Sequence, residues 1–160
     1  MAKFATQNVS SPTGAAIGPN GNLYVGGLSS NDIGEYKPDG SFVRSYSGGG
    51  LTSTNCVAFR GDGVFYAASA STGMVVEFSA SGTALRSFTG FGLSSPMGIA
   101  LHQGEVFVAG GGSSNIVVFD ANGKALRQIR HARRADCSFA KWQPPRPGIS
   151  SLDSLHFRRL

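Results

Sequence analysis

Acidic residues and histidines are the side chains of this 160-residue sequence that could carry acid–base or metal chemistry, and they are few. The chain has nine Asp and Glu, three His and two Cys. A divalent cation needs several converging carboxylates or amides, and proton transfer needs a base close to the reacting atom. The spacing of these residues indicates neither arrangement. We therefore predict no catalytic residue, no metal site and no cofactor.

The two cysteines do not change this interpretation. Cys56 and Cys137 lie far apart in the sequence and form no CxxC or other metal-ligand spacing. We predict that Cys56 is a reduced structural thiol.

The elements that would position any site repeat along the chain with a period of about 42 residues. VSSPTGAAI from Val9 aligns with LTSTNCVAF from Leu51 and with LSSPMGIAL from Leu93, and the match continues through the period. Each unit contains four short runs rich in β-branched and aromatic residues, which favour strands. Glycine-containing pairs typical of tight hairpins separate the first run from the second and the third from the fourth: Asn20-Gly21, Asp39-Gly40, Asp62-Gly63, Ser81-Gly82, Gln103-Gly104 and Asn122-Gly123.

These units predict an all-β fold of β-propeller blades: three four-stranded antiparallel blades in an incomplete ring. A sandwich or barrel also has short strands, but neither needs each fourth strand to repeat its predecessor. The predicted boundaries are the end of a preceding blade at 1–8, blades at 9–50, 51–92 and 93–130, and a tail at 131–160.

The tail departs from the repeat and carries most of the net positive charge of the chain. It has six Lys or Arg against two Asp and holds the only Trp. We interpret it as a basic, disordered segment, which an out-of-frame end of a longer propeller gene would explain. The alternative is an arm that binds nucleic acid or a protein partner.

The blades resemble the NHL repeat family of β-propellers. The motif residues are Pro96-Met97-Gly98-Ile99-Ala100, Asn22-Leu23-Tyr24-Val25 and Pro38-Asp39-Gly40. Similar blades occur in the streptogramin-lyase-like and gluconolactonase-like propellers, which are enzymes, and in tripartite-motif-type proteins, whose propellers bind RNA or protein. The resemblance implies the fold, and the fold alone does not choose among these activities.

The predicted binding surface is the end of the blades where the second strand turns into the third. These loops are rich in Ser, Gly and Asn, and Asp32 is their one acidic residue. The candidate binding residues are Ser29, Ser30, Asn31, Asp32, Ser71, Thr72, Ser113, Ser114 and Asn115. His102 falls at the opposite end of the blades, and His131 and His156 fall in the tail, so we assign none of them a catalytic role.

Charged residues recur at two further repeat positions. Glu35 and Glu77 share one position on the third strand, and their repetition favours an exposed structural role. Arg44, Arg86 and Arg127 share one position on the outermost strand. They could form an RNA-contacting stripe. We favour the interpretation that these charges keep the sheet edge soluble.

The predicted function is that of an NHL-like β-propeller fragment that serves as a binding or interaction scaffold. The alternatives are part of a lyase-like or lactonase-like enzyme whose active residues lie in missing blades, and an RNA-binding propeller. Closed propellers use about four to eight blades, so we expect a protein partner, or a second copy that completes a six-bladed ring; nucleic acid is the weaker alternative. The sequence shows neither a leader peptide nor a long apolar run, so we expect no membrane association and a cytoplasmic location.

Overall fold

The computed structural model of the chain describes residues 8–130, which form twelve β-strands in three sheets. Blade 1 consists of β1 (Pro12–Ile17), β2 (Leu23–Gly27), β3 (Asp32–Tyr36) and β4 (Phe42–Tyr46). Blade 2 consists of β5 (Thr54–Phe59), β6 (Phe65–Ser69), β7 (Met74–Phe78) and β8 (Ala84–Phe88). Blade 3 consists of β9 (Pro96–His102), β10 (Glu105–Gly110), β11 (Asn115–Phe119) and β12 (Ala125–Arg130).

Each sheet is an antiparallel meander in which consecutive strands are neighbours. This confirms the predicted fold class, and the three sheets do not close into a ring. All six predicted hairpin glycines have a positive φ, from 78° at Gly21 to 89° at Gly63 and Gly82. Glycine adopts this conformation without a steric penalty. The predictions for residues 1–7 and 131–160, including Cys137, His131 and His156, lie outside the described residues.

The blades pack face to face through two apolar clusters. Between blades 1 and 2, Tyr24, Ile33 and Tyr46 of blade 1 meet Phe65 and Phe78 of blade 2. Successive side chains of a strand point to opposite faces of the sheet, so each blade has one face toward the preceding blade and one toward the following blade. We call these the backward face and the forward face.

The same arrangement joins blades 2 and 3. Tyr66 and Val75 on the forward face of blade 2 are buried with Val106, Val117 and Phe119 on the backward face of blade 3. Each of these contacts places an aromatic or β-branched side chain from one blade against the next, which is the type of packing that holds sheets together.

The two outer faces have no described neighbouring blade. On blade 1, Val25 and Tyr36 of the backward face form a small buried cluster with Val9. On blade 3, the forward face includes Ile116 and Ile129, which are directly paired across β11 and β12. Both isoleucines are exposed.

Within residues 8–130, no helix has the length and apolar character needed to cross a membrane.

Candidate functional site

The predicted binding surface is formed by two kinds of segment at one end of the blades. The first kind joins the second strand of a blade to the third: residues 28–31, 70–73 and 111–114. The second kind is the linker that enters each blade, ending at Ser11, Ser53 and Ser95. We call this end the loop face.

Backbone hydrogen bonds attach each loop to its linker in the same way. In blade 1 the N–H of Leu28 donates to the carbonyl of Ser11 at 3.0 Å, and that of Ser29 to Ser10 at 3.1 Å. Gly111 and Gly112 make the equivalent bonds to Ser95 and Ser94 in blade 3, at 3.0 and 3.1 Å, and Ala70 bonds Ser53 in blade 2 at 3.1 Å. The loop face is therefore built to one plan three times.

The last serine of each linker has a left-handed backbone conformation. The φ values of Ser11, Ser53 and Ser95 are 53°, 48° and 45°. A non-glycine residue adopts this conformation only where its surroundings enforce it. Its repetition in three blades indicates a common structural requirement of the linker.

Two of the predicted binding residues in blade 1 hold the loop together from inside. The Ser30 hydroxyl accepts a hydrogen bond from the Ser10 N–H at 3.0 Å and donates to Asp32 Oδ1 at 2.5 Å. In blade 3 the Ser113 hydroxyl accepts from Ser94 N–H at 3.1 Å and donates to Asn115 Oδ1 at 2.5 Å. These side chains therefore stabilise the loop face.

In blade 2 a strand residue, Ser69, supplies the hydroxyl that accepts the linker N–H. Ser69 is buried, and its hydroxyl accepts from the N–H of Thr52 at 2.9 Å and contacts Thr72 Oγ1 at 2.5 Å. Glycine occupies this repeat position in the other blades, as Gly27 and Gly110, where a Cβ would collide with the Ser30 or Ser113 hydroxyl. One hydroxyl fills this space in every blade, supplied either by the strand or by the loop.

The outward-facing side chains of the loop face form hydroxyl pairs. Ser11 and Ser29 are 2.8 Å apart between hydroxyl oxygens, and in blade 2 Ser71 donates to Ser53 at 2.7 Å. The Asn31 side-chain oxygen accepts from the Ser53 N–H at 2.7 Å, which links blade 1 to blade 2.

The remaining two predicted binding residues are Ser114 and Thr72. Ser114 is exposed, with a φ of 51°, and Thr72 is exposed beside the buried Ser69 hydroxyl. Sequence reasoning missed the linker members of this surface, Ser10, Ser11, Thr52, Ser53, Ser94 and Ser95. The alignment carried the signal, because these hydroxyl residues occupy the same two places in each repeat.

The arginines of the outermost strands each lie beside a carboxylate. Arg44 Nε is 3.0 Å from Glu35, Arg86 Nε pairs with Glu77, and Arg127 makes two bonds of 2.7 Å to Glu105. Each pair lowers the net positive charge that the predicted stripe presents to a phosphate backbone.

The expected exposure of Glu35 and Glu77 was wrong. Both carboxylates are 2% exposed, because the third strand lies inside the blade and its forward face is covered by the next blade. A repeated polar position therefore marks the contact between blades here. Buried carboxylates need hydrogen-bond partners.

Glu35 has several such partners. It accepts bonds from the Tyr46 hydroxyl at 2.5 Å, from the amides of Asn22 and Asn20 at 2.6 and 2.9 Å, and from Arg44. Burial by itself raises the pKa of Glu35, but these donors outweigh it and lower the pKa to about 2.

A shallow cleft of about 340 Å³ opens at the opposite end, between blades 2 and 3. Arg60, Tyr66, His102 and Glu105 line it, together with apolar side chains. Arg60 is held by Asp62 through bonds of 2.7 to 3.0 Å. The cleft combines apolar walls with polar groups whose charges are already matched.

Metal and thiol chemistry have little support among residues 8–130. No three His, Cys, Asp or Glu side chains in that range lie together as a metal site would require. Cys56 on β5 is a free cysteine, and burial raises the pKa of its thiol to about 12. It is therefore protonated at neutral pH.

Comparison with solved structures finds strong likeness in fold. Virginiamycin B lyase from Staphylococcus aureus, a catalytically inactive form with quinupristin, superposes with a TM-score of 0.68 at 19% identity, over 78% of this chain and 43% of that one. The three sheets have the fold of β-propeller blades. A streptogramin B lyase gives a TM-score of 0.65 at 16% identity, over 78% and 42% of the two chains.

The RRP9 WD40 repeats give a TM-score of 0.67 at 14% identity, over 80% of this chain and 41% of that one. The chain thus spans about two fifths of the length of these propellers. The predicted likeness to streptogramin-lyase-like propellers is confirmed at the level of fold. No family model matches the sequence, and no curated protein does, so the NHL assignment stays a prediction.

Proposed function

We propose that the propeller blades are a binding scaffold and that the loop face binds another protein through neutral hydrogen bonds. The observation that carries this proposal is the repeated hydroxyl pair, Ser11 with Ser29 and Ser53 with Ser71, at the same place in successive blades. We also assign the blades to an NHL-like type, on the motif at residues 96–100.

The chemistry of the loop face supports a neutral partner surface. Its one carboxylate, Asp32, already accepts the Ser30 hydroxyl. Serine hydroxyls both donate and accept hydrogen bonds, so they suit backbone amides and carbonyls as well as uncharged side chains. The backbone bonds between loop and linker hold these hydroxyls in place before a partner arrives, which reduces the entropy lost on binding.

A pull-down from extracts of the source organism tests the surface, with matched variants of the full chain. Ser29→Glu with Ser71→Glu places two charges on the loop face. Ser81→Glu with Asn122→Glu places two charges on exposed hairpins at the opposite end.

We expect a protein that the unmodified chain and the hairpin variant retain and that the loop-face variant loses by at least tenfold. Equal retention by all three proteins, or equal loss from both variants, would contradict a loop-face partner. Circular dichroism checks that both variants keep their strands.

A lyase-like enzyme is the second candidate, favoured by the fold likeness to a virginiamycin B lyase and a streptogramin B lyase. In that case we expect the active residues to lie in blades beyond those of residues 8–130. Incubation with quinupristin of a longer protein that contains these blades, and of the same protein truncated after Arg130, separates the candidates when the compound is followed by liquid chromatography with tandem mass spectrometry. A scaffold leaves the compound unchanged over hours in both forms, whereas conversion that scales with the concentration of the longer protein and is lost on truncation would favour the enzyme.

A further inference from the structure

We propose that two copies of this chain close a six-bladed ring, in which the forward face of blade 3 packs against the backward face of blade 1 of the second copy. This proposal does not depend on the loop-face function. It rests on a comparison of repeat positions that are covered in one blade and open in another.

The forward face of blade 3 carries the residues that a following blade covers elsewhere. Ile33 and Val75 are fully buried at the contacts of blades 1 and 2 with their following blades, but Ile116 at the same repeat position is 39% exposed. Tyr46 is buried at the next such position, whereas Ile129 is 50% exposed. Blade 3 therefore presents an apolar surface of the type that its two predecessors bury.

The backward face of blade 1 carries the complementary half. Val9, Val25 and Tyr36 form its cluster. The equivalent residues of blade 2, Leu51, Ala67 and Phe78, lie in the larger cluster that the forward face of blade 1 completes.

In blade 3 the equivalent residues Leu93, Val108 and Phe119 lie in the cluster that the forward face of blade 2 completes. Val9, Val25 and Tyr36 are themselves buried, so a second copy would reach this face at the side chains around them. The exposed side chains Ile17 and Phe42 lie on the first and last strands of the same blade.

The contacts within the chain specify the contacts between copies. Tyr24 meets Phe59 with ring centroids 4.6 Å apart, which corresponds to Phe107 on Ile17 of the second copy. Tyr46 and Phe88 lie against Gly82 and Gly123 of the following blade, which corresponds to Ile129 on Gly40 of the second copy. Every residue in the two predicted pairs is apolar or aromatic, so neither pair buries a charge.

A second copy is the occupant because both halves of the contact are present on one chain. Two copies related by a twofold axis make this contact twice and leave no face open. Six blades fall within the four to eight of closed propellers. A stable interface buries about 1,200–2,000 Å² in total, so each of the two contacts needs to supply only about half of that area.

The mass of the full chain in solution, measured by analytical ultracentrifugation, tests the ring. We expect twice the 16.6 kDa of the chain. Ile129→Arg places a charge in both contacts and should weaken association at least a hundredfold. Leu126→Arg is the matched control, because it lies on the same strand at a position that is exposed in all three blades, including blade 2 with a neighbour on each side.

A mixture of two variants gives a second readout. Ile129→Arg and Ile17→Arg each disrupt both contacts when alone, but a mixed pair has one contact free of either change. We expect the mixture to associate more tightly than each variant alone.

Several outcomes would overturn the ring: a folded monomer of the unmodified chain, a ladder of growing oligomers, equal effects of Ile129→Arg and Leu126→Arg, or no gain on mixing. A monomer in which residues 131–160 or another protein covers Ile129, seen as protection of β12 in hydrogen exchange, would also overturn it. Circular dichroism of each variant excludes unfolding as the cause of dissociation.

Discussion

The contacts of blade 1 with blade 2 and of blade 2 with blade 3 bury a glutamate at the same repeat position but satisfy it differently. Glu35 accepts from a tyrosine hydroxyl and two asparagine amides in addition to Arg44. Glu77 has Arg86, a second arginine, Arg60, at 3.8 Å, and only a long bond of 3.4 Å from Tyr66.

The sequence differences between the repeats account for this change. The donors around Glu35 are Tyr46 and Asn22, and blade 2 has Phe88 and Val64 in their places. Blade 3 has Val118 at the glutamate position and pairs Arg127 of β12 with Glu105 of β10, across β11. At this repeat position Glu35 is bonded by neutral donors as well as an arginine, Glu77 is bonded mainly by arginines, and blade 3 has the apolar Val118. A buried carboxylate is therefore not a requirement of the blade.

The largest expected effect comes from removing the arginine on which Glu77 depends. Arg86→Met should lower the free energy of unfolding by about 2 kcal/mol, after allowance for the partial exposure of Arg86, because it leaves a buried carboxylate short of donors. Arg86 also donates to the carbonyls of Ala121 and Asn122 in blade 3, at 3.0 and 3.1 Å.

Arg44→Met is the matched control and should cost clearly less, because Glu35 keeps its tyrosine and asparagine donors. Urea denaturation followed by circular dichroism measures both values. Equal losses would show that the two glutamates do not differ in their dependence on arginine.

Removal of the tyrosine hydroxyl from Glu35 is the next effect in size. Tyr46→Phe should cost about 1.5 kcal/mol, the usual value for a hydrogen bond to a charged group. Phe88→Tyr makes the reverse exchange at the other contact and should not cost as much. If Tyr46→Phe leaves the urea midpoint unchanged, the hydroxyl is not the main donor to Glu35.

The low pKa of Glu35 makes the first contact sensitive to acid. Its pKa is about 2 in the folded chain against 4.5 as the ordinary value, so its contribution is present above pH 4.5 and is lost as the pH falls toward 2. The free energy of unfolding should fall between pH 5 and pH 3, and Glu35→Gln should reduce that fall by about 1 kcal/mol. A pH dependence identical to that of the unmodified chain would argue against this role.

The smallest effect is expected at the third arginine. Arg127 and Glu105 form their pair at the surface, where solvent screens the charges. Measured on the dissociated chain at low concentration, Arg127→Met should leave the urea midpoint within the error of the measurement. A loss as large as that of Arg86→Met would show that the pair contributes to the sheet as the buried pairs do.

Sequence reasoning predicted the fold better than the site. The period and the hairpin glycines, such as Gly21 and Gly63, were sufficient for the strands, because turn conformation and strand propensity are local properties. The burial of Glu35 and Glu77 was not predictable in this way. A period reveals that a position repeats, but whether the next blade covers that position depends on packing between residues far apart in the chain.

The loop face illustrates the same limit. The alignment identified the serine-rich loops, but Ser30 and Ser29 differ in role because of bonds to linker residues about twenty positions away. Such bonds depend on how loop and linker are placed together. Residue type alone gives the same expectation for both serines.

Blade 2 has Ser69 where blades 1 and 3 have glycine. This difference determines how long a segment must be for loops to be transplanted between blades. A loop whose hydroxyl accepts the linker N–H, like that of Ser30, is matched to a glycine at the end of the preceding strand. Residues 28–31 grafted alone into blade 2 would leave the linker N–H bonded to Ser69, so the Ser30 hydroxyl would take the place of Thr72 Oγ1 and lose its own bond to the linker. The exchangeable cassette is therefore five residues long, 27–31 for 69–73, and a library of loop faces on this scaffold should be designed in such cassettes.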